Sequence, residues 1–303
     1  IGLVGSEMCI RDSFTGAGVA IITPMNDDGS INYEGFAENI EYQINNGTDA
    51  IIVCGTTGEA STMTDEEHIE CIRFTVEKTK GRVPVIAGTG SNDTKYAVEL
   101  SKTAQEKGAD GLLLVTPYYN KASQKGLIAH FGAISEAVDI PIILYNIPGR
   151  TGVSIEIDTY KRLAEFKNIV AVKEASGNIS YTSKLISQCG DTLDVYSGND
   201  DIIVPMMSIG SKGVISVLSN IMPKETHEMT KLCLENNIKA AAELQMKYLG
   251  LINSLFIEVN PIPVKEAMNM MGMAAGPCRL PLCEMTDVHK ENLKASLSKF
   301  GLV

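Results

Sequence analysis

The chain reads as an α/β protein, a (β/α)8 TIM barrel with a C-terminal helical extension, and three observations predict it. Eight short apolar runs recur from residue 14 onward, each separated from the next by a longer stretch, most of them amphipathic. The runs lack polar alternation, as parallel strands covered on both faces do. The first run is followed by Ile22-Thr23-Pro24-Met25, not by the GxGxxG turn that an open doubly wound sheet would want. Strand, helix, strand repeated with short connections specifies a parallel sheet, and eight strands close most readily into a barrel.

In chain order, GVAIIT (18–23) is followed by a helical pattern over 33–46, DAIIVC (49–54) by 65–80, and VPVIAG (83–88) by 94–107. GLLLVT (111–116) precedes 124–138, IPIILY (140–145) precedes 155–166, and IVAVKE (169–174) precedes 179–188. LDVYSG (193–198) and GVISVL (213–218) complete the set. Most helical patterns follow a Ser, Thr, Asp or Asn able to cap the first turn. Gly47, Gly81 and Gly108 follow three of them, where a C-terminal stop is expected. After Pro223 the strands cease, and helices are predicted over 238–256, 261–271 and 286–299. The first of these keeps Ala241, Leu244, Tyr248, Leu251, Ile252 and Leu255 on one stripe, as for a helix packed on the barrel. The division is therefore a barrel over 14–222 and a helical region over 223–303. Residues 1–13 (IGLVGSEMCIRDS) show no pattern leading into the first strand and are read as a non-native or disordered leader.

A formal net charge of −11 argues against nucleic acid or an anionic membrane as partner. No apolar run reaches the roughly 18 residues a membrane span needs. The seven cysteines include no CxxC pair, and His68, His130, His227 and His289 are scattered. Reduced thiols in a cytoplasmic protein, with no metal and no cofactor, are the expectation.

Chemistry in such a barrel gathers at C-terminal strand ends and the loops beyond them. Lys173 ends the apolar run Ile169-Val170-Ala171-Val172. Either it snorkels to water and pairs with Glu174, or burial favours its neutral amine, whose pKa of roughly 7–8 makes it a nucleophile toward a carbonyl. The loop Gly55-Thr56-Thr57-Gly58-Glu59 is either a tight turn or a cradle of N–H groups and hydroxyls for a carboxylate; it lacks the ending of a phosphate loop. Tyr145 alternates onto one face with Ile143, in a closed barrel the lumen, near Lys173. Arg150, in a Pro-Gly turn, is a surface arginine or a bidentate carboxylate clamp. Together these suit Schiff-base aldol chemistry on a keto acid. No histidine stands at a strand end for a Ser-His-Asp or Cys-His site, and Glu174 alone does not make a two-carboxylate glycosidase.

GTTGEAST (55–62), AGTGSNDT (87–94), VTPYYNKAS (115–123), YNIPGRTG (145–152), VAVKEASG (170–177) and SGNDD (197–201), in this order, resemble the dihydrodipicolinate synthase family of the class I aldolase / N-acetylneuraminate lyase superfamily. The resemblance runs from Phe14 to near the C-terminus. It implies a lyase that condenses pyruvate with L-aspartate 4-semialdehyde to 4-hydroxy-tetrahydrodipicolinate, on the diaminopimelate route to lysine, in a homotetramer built from tight dimers. It implies Lys173 as the imine-forming residue, with Thr57, Tyr145 and Tyr119 as a proton relay, Tyr119 reaching into a neighbouring subunit. Thr56 and Thr57 would hold the pyruvate carboxylate and Arg150 that of the semialdehyde, while Gly198 and Ile215 line the pocket. The alternative within the superfamily is a lyase acting on N-acetylneuraminate or keto-deoxy sugar acids. In feedback-sensitive members an allosteric lysine is contacted by residues matching Ala60, Ser61, His68, Asn92, Tyr118 and position 96. Here position 96 is Tyr96 where those members carry a glutamate, and Asp65 stands where some carry a histidine, so weak or absent inhibition by lysine is predicted.

Overall fold

The computed structural model describes residues 14–303, so the leader expected over 1–13 lies outside the described residues. The apolar runs form eight parallel strands: β1 (Gly16–Ala20), β2 (Ala50–Val53), β3 (Val85–Gly88), β4 (Gly111–Val115), β5 (Ile142–Asn146), β6 (Ile169–Glu174), β7 (Asp194–Ser197) and β8 (Gly213–Ser216). Each pairs with the next, and β8 pairs with β1 to close the barrel. The helices between them are α1 (Tyr33–Asn45), α2 (Asp65–Thr79), α3 (Thr94–Glu106), α4 (Gln124–Ser135), the short α5 (Pro148–Thr151), α6 (Ile157–Leu163), α7 (Ile179–Cys189) and α8 (Ile203–Ser208). Beyond β8 lie α9 (Pro223–Leu234), α10 (Ile238–Ser254), α11 (Ile262–Met270) and α12 (Asp287–Ser298). No described helix is long and apolar enough to cross a membrane.

Side-chain caps start most of the longer helices. Asn32, Ser123 and Asn178 accept from the third N–H beyond them, and Thr64 forms a reciprocal capping box with Glu67. These bonds satisfy donors that the first helical turn leaves without an intrahelical partner. Gly47, Gly81 and Gly108 take positive φ (84°, 67° and 90°) where the chain leaves α1, α2 and α3, as left-handed helix stops do.

Strand limits differ from the sequence reading where backbone pairing ends before the apolar run does. β1 stops at Ala20 because Ile22 N turns to the Asn220 side chain, although Ile21 N still donates to Ile52 O. β5 runs one residue past Tyr145, and Ala175 N donates to Asn146 O. Two helices carried little signal. α8 is six residues long and carries Pro205 in its first turn, and α9 starts on Pro223, with only Met229 and Cys233 as buried large or sulfur-bearing apolar residues. α9 packs on β1 and β8 and forms one core with α10 to α12 through Met229, Leu251, Leu255 and Leu293.

The strands separate two other apolar layers. Outward residues such as Val19, Ile51, Val53 and Leu144 pack on the helices. Ala20, Ile52, Ile86, Leu113, Ile143, Ala171, Tyr196 and Ile215 fill the lumen. Among the described residues six cysteines are free thiols, of which Cys54, Cys71, Cys189 and Cys233 are buried.

Candidate active site

β6 delivers Lys173 to the upper lumen, opposite Tyr145 of β5 in the strand register. A register shift between Ile142 and Ile143 sets that pairing. The Lys173 Nζ sits 4.4 Å from the centre of the Tyr145 ring, and the residue is 6% exposed. An ammonium over an aromatic face gains cation–π attraction, but burial favours the neutral amine. Burial pushes the Lys173 pKa down to about 8; the Asp200 carboxylate raises it, and the Arg150 guanidinium lowers it further. Snorkelling with an ion pair to Glu174 does not occur. Glu174 alternates to the other face, accepts from Asn146 Nδ2 at 2.8 Å and Ser176 N at 2.6 Å, and is itself buried.

Tyr145 is almost wholly buried, and burial pushes its phenol up to about 12, opposed by the Arg150 charge and by the nearby Thr56 hydroxyl. The two threonines of the GTTGE loop therefore differ in setting. Thr56 is exposed and lines the same cavity as Tyr145. Thr57 is buried, and its Oγ1 accepts from Asn260 Nδ2 at 2.9 Å. Of the two, Thr56 and not Thr57 thus presents its hydroxyl to the cavity. In a turn, φ rather than strand alternation decides which of two adjacent hydroxyls faces the lumen, and this turn is bracketed by Cys54 and Glu59 at φ 55° and 58°, a region costly for residues with a Cβ.

That strained loop is held from outside the barrel. Thr23 Oγ1 donates to Gly58 O at 2.8 Å. Lys265 Nζ of α11 lies 2.7 Å from Glu59 Oε1 in a pair whose side chains are 2% and 1% exposed, and Arg279 N donates to Glu59 Oε2. Arg279 also forks onto Glu67 of the α2 capping box. A cavity of about 400 Å³ opens above the lumen and is lined by Thr56, Tyr145 and Arg150. Arg150 is exposed, with Nη2 donating to Asn260 O at 3.2 Å.

The remaining expected residues fall into three groups. Ile215 lies in the lumen cluster, and Gly198 N donates to Glu174 O; a Cβ on Gly198 would come within 2.6 Å of Ala175 Cβ. Tyr119 stands 90% exposed at φ 72°, outside the cavity of its own chain. Ala60, Ser61, His68, Tyr96 and Tyr118 also line that cavity, while Asn92 donates from its side chain to Tyr118 O. Tyr96 Oη donates to Asp65 Oδ1 at 2.7 Å, and burial followed by this contact pushes the phenol up to about 12. His68 Nε2 lies 2.8 Å from Gly88 O, and burial lowers its pKa. The sequence reading missed Asn260 and Lys265, and it gave Asp200 of the SGNDD motif no role. Asp200 is buried, with Oδ2 accepting from Val217 N and Leu218 N.

A buried amine beside a phenol, a hydroxyl-bearing loop and an arginine at one barrel mouth can form an imine with a keto acid and move protons around it. Residues 13–300 match the Dihydrodipicolinate synthetase family. The 4-hydroxy-tetrahydrodipicolinate synthases of Acetivibrio thermocellus and Lachnoclostridium phytofermentans are each 58% identical, over 96% of this chain and 98% and 99% of theirs. Dihydrodipicolinate synthase from Aquifex aeolicus superposes with a TM-score of 0.93 at 48% identity, covering 95% of this chain and 99% of that one. The chloride-inhibited enzyme of Acinetobacter baumannii, solved in complex with pyruvate, gives 0.94 at 44% identity over 95% and 99%. With fold, motifs and nearly the whole length in agreement, the chain belongs to the dihydrodipicolinate synthetase family.

Proposed function

We propose that this chain condenses pyruvate with L-aspartate 4-semialdehyde through an imine on Lys173, giving 4-hydroxy-tetrahydrodipicolinate on the diaminopimelate route to lysine. The observation that carries the residue assignment is the buried Lys173 amine held over the Tyr145 ring, with its pKa brought to about 8. Near neutrality a useful fraction is neutral and can add to C2 of pyruvate. The carbonyl oxygen leaves as water after protonation, and the iminium that remains acidifies C3. Loss of a C3 proton gives an enamine, which attacks the aldehyde carbon of the second substrate. The resulting alkoxide takes a proton, and hydrolysis of the imine or its displacement by the substrate amine frees Lys173.

Tyr145 and Thr56 are the first two members of the proton relay in this reading. Their support is that both side chains line the one cavity at the barrel mouth, Tyr145 directly opposite Lys173 in the strand register. Tyr119 of a second copy completes it, a role suited to a phenol 90% exposed on its own chain. The chain therefore works as a dimer or as the tetramer built from dimers, in the cytoplasm. Thr56 and the loop N–H groups receive the pyruvate carboxylate, and Arg150 receives the semialdehyde carboxylate. The test is Arg150→Ala: the KM for the aldehyde should rise by at least about tenfold, as for loss of a charge-assisted contact, with pyruvate adduct formation near normal. Equal loss for both substrates would reduce Arg150 to a residue that shapes its loop.

A further inference from the structure

Asn260 touches both of the elements that receive substrate carboxylates. Its Nδ2 donates to the buried Thr57 Oγ1 at 2.9 Å, and its backbone carbonyl accepts from Arg150 Nη2 at 3.2 Å. The residue is 6% exposed, and its Oδ1 has no hydrogen-bond partner among the described residues. It opens the segment in which Lys265 secures Glu59, two positions beyond Thr57. The carboxylate loop is thus tied at two points to one stretch of chain outside the barrel, and Arg150 rests on the first of them.

We propose that Asn260 is a positioning residue: by holding the Thr57 hydroxyl through its side chain and Arg150 through its carbonyl, it fixes the spacing at which the two substrate carboxylates are received. This rests on the function proposed above. Asn260 acts through Thr57 and Arg150 and touches no reacting atom. The side-chain bond serves the pyruvate end, whereas the carbonyl, which serves Arg150, survives any side-chain substitution.

Steady-state kinetics of Asn260→Ala with both substrates, completed as a double-mutant cycle with Thr57→Val, test this. Losing one buried hydrogen bond should raise the KM for pyruvate about threefold to tenfold. The kcat and the KM for the aldehyde should stay within about twofold, since uniform binding to one substrate is what is removed. In the Thr57→Val background the Asn260 substitution should add nothing, and in Thr57→Ser, which keeps the hydroxyl, it should cost the same factor as in the parent. Effects that multiply across the cycle, or equal loss in kcat and both KM values, would overturn the proposal. Should Asn260→Ala not fold, Asn260→Ser enters the same cycle with the same expectations. Failure of the underlying function would look different, because the unmodified protein would then form no pyruvate adduct at all.

Discussion

Replacing Lys265 by methionine should cost about 3–5 kcal/mol of stability, the range for removing one partner of a buried ion pair. The Lys265 ammonium is fully engaged, 2.7 Å from Glu59 Oε1, 3.1 Å from Thr23 O and 2.6 Å from Pro277 O. Methionine fills the stem's volume but leaves the Glu59 carboxylate, 1% exposed at its side chain, with the Arg279 N–H as its remaining donor. It also leaves the buried Thr23 carbonyl and the carbonyl of the exposed Pro277 short of a donor. Adding Glu59→Gln removes the stranded charge while an amide oxygen still accepts from Arg279 N. The double variant should then lose only about 1–3 kcal/mol, the scale of unsatisfied neutral groups. Lys161→Met is the contrasting control. Its pair with Asp158 is 46% and 89% exposed, and the loss should stay within about 0.5 kcal/mol. Guanidinium denaturation at fixed protein concentration measures all three. A loss below about 1 kcal/mol for Lys265→Met, or a double variant as unstable as the single, would refute the view that this pair pins the loop. Because Glu59 closes that loop, the single variant should also lose pyruvate affinity while still folded.

Two further outcomes follow from the site's electrostatics. The rate of pyruvate adduct formation should rise about tenfold per pH unit below 8 and level off above it, since the neutral amine is the nucleophile and the Lys173 pKa is about 8; a midpoint near the ordinary 10.5 would mean that burial does not activate this lysine. Lysine should inhibit weakly, because the Tyr96 phenol, already donating to Asp65, supplies no carboxylate for the ligand's ammonium; Tyr96→Glu should tighten inhibition by about one to two decades, and submillimolar cooperative inhibition of the parent protein would contradict this.

The barrel was legible because each strand is a contiguous run whose signal is local. Lys173 stood out for the same reason, as a charge at the end of an apolar run with no polar alternation. What was not legible depends on residues far apart in sequence or on turn geometry. Asn260 and Thr57 are separated by 203 positions, and Lys265 and Glu59 by 206, so neither partner carries a local mark of the other. The tail read as packing alone, since a helical stripe shows which face is buried and not what its ends hold. Thr56 and Thr57 are chemically identical neighbours, distinguishable only once the backbone on either side of them turns left-handed.

Incubation with pyruvate and borohydride, followed by intact mass and peptide mapping, tests the central assignment most directly. One reduced adduct per chain is expected, on Lys173, and none in Lys173→Ala that still folds. An adduct on any other lysine, or none on the parent protein, would contradict it.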